Sequence, residues 1–228
     1  MHPAYVLHRW PYQESSLIVD VFSQEFGRLR VVARGARASK KGQNACLQPF
    51  TPIQLSWRGQ GELKTLTAVE STSFPAPLVG EYVYCGFYIN ELLQRLVPEQ
   101  AAIPALFDDY QHTLQLLRQQ VAMQPVLRRF EWSLLQHLEL DFDWQVELSH
   151  GQAIEPDSYY FFVAGEGFYP LASGREPTPH YRGADIVKMA QFQLHDADLL
   201  RQFKWLMRAA LAPYLGNKPL RSRELFTR

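Results

Sequence analysis

Over the first 70 or so residues the apolar positions recur with a period of two. AYVLHRW (4–10) and SLIVDVF (16–22) are short apolar runs, the second rich in β-branched residues. GRLRVVARG (27–35) alternates cleanly: Leu29, Val31 and Ala33 share one face, and Arg28, Arg30, Val32 and Arg34 share the other. PIQLSW (52–57) puts Ile53, Leu55 and Trp57 together, which assigns Trp57 to the core, and LKTLTAVE (63–70) closes the set. Pro11, Gly27, Gly59 and Gly61 break the chain between these runs. Alternation within short segments bounded by turn residues predicts strands. Five such strands in sequence predict a small closed or nearly closed barrel. The five-stranded OB-fold is the natural candidate, an architecture that commonly binds oligonucleotides.

From about residue 78 the period lengthens. LVGEYVYCGFYINELLQRLV, PALFDDYQHTLQLLRQQV and PVLRRFEWSLLQHLEL carry apolar residues at helical spacing. In the third, Leu127, Phe130, Leu134 and Leu138 form one stripe. Pro104 and Pro125 suit the first turn of a helix. Residues 141–184 lack a clear period and are dense in aromatics, glycine and proline, which predicts an irregular segment with one or two short strands such as YYFFVAG. Helices are expected again over about 185–193 and 198–212, the latter stopping before Pro213. That last helix buries Leu199, Phe203, Leu206 and Ala210 and presents Arg201, Lys204 and Arg208 together.

Charge changes this picture. The formal net charge is zero, yet residues 1–80 carry +4, residues 81–198 carry −10 and residues 199–228 carry +6. RLRVVARGARASKKG (28–42) holds six cations and no acid. Basic ends around an acidic middle point to a polyanion partner for the ends. Arg28, Arg30 and Arg34 lie on one strand face, and Arg37, Lys40 and Lys41 extend the run into the following loop. On a barrel this makes a cationic groove for a phosphate backbone; a solvated basic loop is the plainer alternative. Trp10, Tyr12, Phe22, Phe26 and Phe50 are candidates to stack on bases, with core packing as the competing role for each. Arg201, Lys204, Arg208, Lys218, Arg221 and Arg223 form a second candidate phosphate-contacting set.

Other chemistry is thin. Cys46 and Cys85 stand far apart in sequence and read as free thiols. The seven histidines do not group, and no phosphate-loop, dinucleotide or nucleophile-elbow motif occurs. Asp108, Asp109, Asp141 and Asp143 make a weak case for metal-dependent hydrolysis. Neither cofactor nor metal is expected, nor a membrane span or signal peptide, and the protein reads as cytoplasmic. Arg128, with Trp132 and Leu135 one and two turns on, could receive an acidic, hydrophobic peptide end. A helix ion pair with a nearby carboxylate is the competing reading of Arg128.

Several segments together resemble the bacterial RecO recombination and repair family: ESSLIVDVFSQEFGRLRVVARGAR (14–37), LQPFTPIQLSWRGQGELKTL (47–66), YINELLQRL (88–96), LRRFEWSLLQHL (127–138) and YLGNKPLRSRELF (214–226). The resemblance implies an α+β chain. Residues 1–76 would form an OB-fold DNA-binding domain, and 77–228 a mostly helical domain containing the irregular segment 141–184. Some family members hold a four-cysteine zinc site there. This segment has no cysteine, so its aromatics must hold it together. The resemblance further implies a non-catalytic, nucleoid-associated protein that binds single- and double-stranded DNA and anneals complementary strands. Such a protein acts with RecR to help load RecA onto DNA covered by single-stranded DNA-binding protein, and recognises the acidic, phenylalanine-ending tail of that protein. By position, Arg128, Trp132 and Leu135 would take the tail and the basic strand face would take DNA. An RNA-binding OB-fold protein of translation or ribosome assembly is the alternative.

Overall fold

A computed structural model describes residues 1–38, 43–171 and 179–227. Among them the first five strands are β1 (His2–Tyr12), β2 (Ser16–Ser23), β3 (Gly27–Ala33), β4 (Pro52–Arg58) and β5 (Leu63–Ser71). They close into a barrel in the order β1-β2-β3-β5-β4, with β3 and β5 parallel and the other pairs antiparallel. This is the OB-fold expected from the alternation. The inward residues of each strand fill it: Val6, Val19, Val21, Leu29, Val31, Ile53, Leu55 and Leu66 are buried together. Trp57 is only partly buried, at the edge of this core. It keeps the alternation of Ile53 and Leu55, and the irregularity beside it, between Ser56 and Trp57 in the pairing, skips Thr67 of the partner strand β5.

A second irregularity sets how the helices dock. The pairing of β1 with β2 skips Leu7, between Val6 and His8. A bulge leaves a backbone group without its ladder partner, and Leu7 is only 1% exposed, so water cannot serve it. The side-chain amide of Asn90 donates to the Leu7 carbonyl at 2.8 Å. Asn90 lies on α2 (Glu81–Leu96), and its own carbonyl oxygen accepts from the Tyr110 hydroxyl of α3 (Pro104–Arg118) at 2.7 Å. Around this chain of bonds Tyr5 and Phe22 of the barrel pack on Phe107 and Tyr110, with ring centroids 5.2–6.1 Å apart.

The compact units therefore divide differently from the expected boundary at residue 76. Residues Met1–Val121 and Leu220–Arg228 pack as one unit, and Ala122–Pro219 as another. The C-terminal 3-10 helix (Arg221–Thr227) joins the barrel's unit because Glu91 of α2 accepts from the backbone N–H of Arg221 and from both N–H and hydroxyl of Ser222. Leu220 is buried beside it, and Phe226 packs on Tyr84. Between β3 and β4 lies a short helix, α1 (Gln43–Cys46).

The second unit contains α4 (Met123–His137), a three-stranded antiparallel sheet in the order β7-β6-β8, α5 (Gly183–Ala190) and α6 (Ala197–Leu215). The strands are β6 (Tyr159–Val163), β7 (Gly167–Pro170) and β8 (His180–Arg182). The segment read as irregular thus holds more sheet than expected. Phe142 is at the centre of its core, with the rings of Trp132, Trp144, Phe162 and Phe168 within 4.7–5.6 Å. The loop after Trp144 is fixed by Glu147, whose carboxylate accepts from the N–H groups of Ser149, His150 and Gln152. The last helix runs through Pro213 to Leu215, three residues past the expected stop at 212. The proline removes one backbone bond near the end of the helix, and Gly216, at φ 67°, terminates it. Among the described residues no helix is long and apolar enough to cross a membrane.

Two glycines with the same backbone conformation test the packing at the β2–β3 turn. Gly27 and Gly35 have φ of 65° and 66°, but a Cβ on Gly27 would lie 2.0 Å from the Ala101 carbonyl oxygen, while none would meet anything within 4 Å at Gly35. Gly35→Ala is expected to cost about 1 kcal/mol, from the left-handed conformation alone. Gly27→Ala is expected to cost more than about 3 kcal/mol, because the 98–102 loop must move away. Urea midpoints of the two variants make the comparison; equal losses would contradict the close approach.

Candidate nucleic-acid interface

The basic stretch separates into cations held by the fold and cations facing outward. Arg28 belongs to the first kind. Its guanidinium donates to the Gln94 carbonyl at 2.6 Å, and lies 3.2 Å from Glu99 and 3.5 Å from Asp20. Its side chain is 11% exposed. This corrects the expectation that Arg28 meets a phosphate: acids from β2 and from the loop after α2 take its charge. Burial raises the Asp20 carboxyl above its ordinary range, and Arg28 and the Gln94 amide only partly offset that.

Arg30 pairs with Glu99 at 2.8 Å, but its side chain is 47% exposed. Arg34 and Arg37 are exposed in the turn after β3. Arg37 donates to the Glu14 carbonyl at 3.3 Å, tying this turn to the one between β1 and β2. Lys40 and Lys41 lie outside the described residues.

The pairing registers place an aromatic among these cations. Trp10 stands opposite Ile18, and Ile18 opposite Val32. Successive outward positions of a strand are two residues apart, so Arg30 flanks Val32 on one side of this row, and Arg34 follows in the turn just beyond the strand. Trp10 is 39% exposed and packs against His8 with ring centroids 4.4 Å apart and the rings tilted by 35°. Burial, then the charges of Arg221 and Arg9, lower the His8 pKa against an opposing pull from Glu91. Arg9, which sequence reading passed over, donates to the Asn44 side chain at 2.6 Å. Of the other aromatic candidates, Phe22 is fully buried and Phe50 packs on Phe87. Phe26 is exposed in a cluster with His2 and Trp57, and Tyr12 is partly buried.

The C-terminal basic set divides between the two units. Arg221 and Arg223 belong with the barrel, Arg223 lying 5.8 Å from the Tyr88 ring centroid. Arg201, Lys204, Arg208 and Lys218 belong to the second unit. The first three share one face of α6, opposite buried Leu199, Phe203, Leu206 and Ala210, as the spacing implied. Arg201 pairs with Asp198 at 2.7 Å.

The expected peptide-binding cation is also engaged. Arg128 is 3% exposed and is paired with Glu131, which is itself fully buried, and lies 3.4 Å from the Gln124 side-chain oxygen. The helix ion pair, three residues apart, is the arrangement found. Trp132 packs on Phe142 and Trp144, and Leu135 is buried. The neighbouring Arg129 is exposed, with its guanidinium 4.6 Å from the Phe192 ring centroid. Among the described residues no group of three or more His, Cys, Asp or Glu side chains could hold a metal ion. Asp108 accepts from Gln24, and Asp143 accepts from the N–H of Gln145.

Comparison with known proteins adds a family. Residues 1–74 match the family described as Recombination protein O N terminal, and residues 79–224 match Recombination protein O C terminal. A protein of Idiomarina loihiensis named DNA repair protein RecO is 45% identical over 225 residues, covering 98% of this chain and 96% of that one. Proteins of the same name from Vibrio cholerae and Aliivibrio fischeri are 42% and 41% identical, each covering 97% of this chain and 91% and 93% of their own.

The C-terminal attachment beside His8 has a pH signature. Burial pushes the Glu91 carboxyl up, but its bonds from Ser222 and Arg221 and the charge of Arg95 outweigh that and lower its pKa. A carboxyl with a lowered folded pKa contributes stability above its unfolded value, about 4.3, and loses that contribution as pH falls through the folded value. Glu91→Gln is therefore expected to be less stable than the parent at neutral pH, with the gap closing in acid below about pH 4. Urea unfolding across a pH series reads the gap; one that stays constant would show that the carboxylate charge is not what holds the 3-10 helix.

Proposed function

The chain belongs to the recombination protein O family, and from that premise we propose that it is a non-catalytic DNA-binding protein of recombinational DNA repair. In this reading it binds single- and double-stranded DNA and anneals complementary strands. With RecR, it helps load RecA onto DNA coated with single-stranded DNA-binding protein. The observation that carries the reading is exposed Trp10 in one row with Ile18 and Val32 across the barrel sheet, with Arg30 beside Val32 and exposed Arg34 in the turn just after it. An aromatic face among cations suits a strand whose bases stack while its phosphates are neutralised.

Annealing follows from simple electrostatics. Two phosphate backbones repel, and a protein with more than one cationic surface lowers the cost of holding both. Here the barrel strip and the basic face of α6 belong to different units. The test is binding of a labelled oligonucleotide across a salt series. Each phosphate contact to a single strand contributes about 0.7 to the slope of log affinity against log salt. The Arg34→Ala/Arg37→Ala variant is expected to bind more weakly, with a slope shallower by about 1.4. An unchanged slope and affinity would remove this face from DNA binding. Tighter binding of RNA than of DNA of the same sequence, without annealing of complementary DNA, would favour the RNA-binding reading.

We place the tail of single-stranded DNA-binding protein on α4, with Arg128 as its cation and Trp132 and Leu135 beside it. Because Glu131 occupies Arg128, the peptide carboxylate must exchange with Glu131. Glu131→Gln is then expected to strengthen tail-peptide binding and Arg128→Lys to weaken it, read by calorimetry on folded protein. Loss on Arg129→Ala, with both of those variants unchanged, would transfer the role to the exposed neighbour.

A further inference from the structure

The basic face of α6 also carries an exposed tryptophan. Arg201, Lys204, Trp205 and Arg208 fall at i, i+3, i+4 and i+7, one side of a helix. Trp205 is 47% exposed, and the Arg201 guanidinium lies 5.9 Å from its ring centroid. Indole rings bury large apolar area, so a half-exposed one among cations needs an explanation. Trp205 also forms a wall of an open cavity of about 510 Å³, lined further by Pro179, His180, Tyr181 and Gln202. Two of these residues carry enclosed polar atoms with no hydrogen-bond partner among the described residues, Nδ1 of His180 and the hydroxyl of Tyr181. Tyr181 is 1% exposed. Buried polar groups are rarely left unpaired, and such a pair beside a cavity marks a place where something else supplies the partner.

These features narrow the ligand. The cations select a polyanion. The exposed indole selects one with accessible aromatic rings, and the unpaired nitrogen and hydroxyl suit the polar edge of such a ring. A duplex keeps its base faces stacked on one another, whereas a single strand offers them. The cavity has the size of an ordinary small-molecule site. Arg201 is not locked away, because its pairing with Asp198 joins two side chains each more than half exposed. Exposed pairs of this kind hold weakly, and a phosphate can replace the carboxylate.

We propose that Trp205 and the cavity beside it form a base-stacking site for single-stranded DNA on the second unit, with Arg201 and Arg208 meeting the flanking phosphates. The site deepens the DNA-binding reading and rests on it. It gives the second unit its own means of holding an unpaired strand.

The test uses the full-length protein, its Trp205→Ala and Trp205→Phe variants, and the Arg34→Ala/Arg37→Ala barrel variant. The probe is a labelled oligothymidylate of about 16 nucleotides. Stacking on one aromatic is read as an affinity change of about fivefold to a hundredfold on removing the ring. Trp205→Ala is expected to lose that much, Trp205→Phe to keep most of the affinity, and the Trp205→Ala loss to persist in the barrel variant. DNA is also expected to quench the parent's tryptophan fluorescence more than that of Trp205→Phe. Parent binding that Trp205→Ala leaves unchanged overturns the site while the DNA-binding reading stands. A parent that binds no oligonucleotide overturns both. A change in self-association on Trp205→Ala, with DNA affinity intact, overturns the site in favour of contact between copies.

Discussion

The hydrogen bond from Asn90 to the Leu7 carbonyl joins the barrel to its helices, and much of the first unit depends on it. A strand bulge exposes a backbone acceptor in a place water cannot reach, and a polar side chain must answer it. Asn90 sits on an otherwise apolar helix face among Ile89, Leu92 and Leu93, where an unpaired amide would cost about 1–3 kcal/mol. Tyr110 satisfies the other end of that amide, so bulge, α2 and α3 form one continuous polar thread through an apolar interface. Such threads fix register: sliding α2 by one residue would orphan both Leu7 and Tyr110. The barrel is thus held in one relation to α2 and α3, and its outer surface divides into a covered part, behind Tyr5 and Phe22, and an open part around Trp10.

Charge follows the same division. Where the β2–β3 sheet is covered, Arg28 is neutralised by Asp20 and Glu99, and the loop after α2 is tied down by the N–H of Gln100 donating to the Arg28 carbonyl. Where the sheet is open, Arg34 is exposed and Arg30 keeps half its side chain in solvent. Alternation along β3 puts Arg28 and Arg30 on one face, Arg34 follows in the turn, and the packing partner of each position then separates structure from recognition. A row of like charges on a strand is therefore not one site. Its buried end stabilises the fold, and its exposed end is what a polyanion can meet.

This explains what could be read from the sequence. The strands were legible because Leu29, Val31 and Ala33 alternate with Arg28, Arg30 and Arg34, and alternation is a local property. The face of α6 was legible for the same reason at helical spacing. The partners of Arg28 were not, because Glu99 and Gln94 are about 70 residues away and no periodicity links them to β3. Nor was the attachment of Ser222 to Glu91, 131 residues apart. The pairing of Arg128 with Glu131 was within reach, since acids three residues along a helix are neighbours. What spacing could not give was its burial, which depends on the fold of the second unit. Trp205 is the opposite case: its helix register was clear, but only the strand β8, drawn from a segment without clear period, turns it into the wall of a cavity.

The attachment through Glu91 also bears on how the cations are distributed. Read along the chain, the last thirty residues are one block of charge +6. In the fold that block is cut at Leu220, so Arg221 and Arg223 add to the barrel's unit while Arg201, Lys204, Arg208 and Lys218 stay with α6. The cut has a physical cause. Glu91 offers an acceptor that three donors of the C-terminal segment satisfy at once, and Leu220 and Phe226 bury apolar area around it. A chain that returns to its first unit in this way leaves each unit with a cationic surface of its own, and with an exposed tryptophan within it: Trp10 on the barrel, Trp205 on α6. In the proposed annealing role, dividing the charge is more useful than concentrating it. A single patch would be neutralised by the first strand bound, whereas a second surface keeps its attraction for the next.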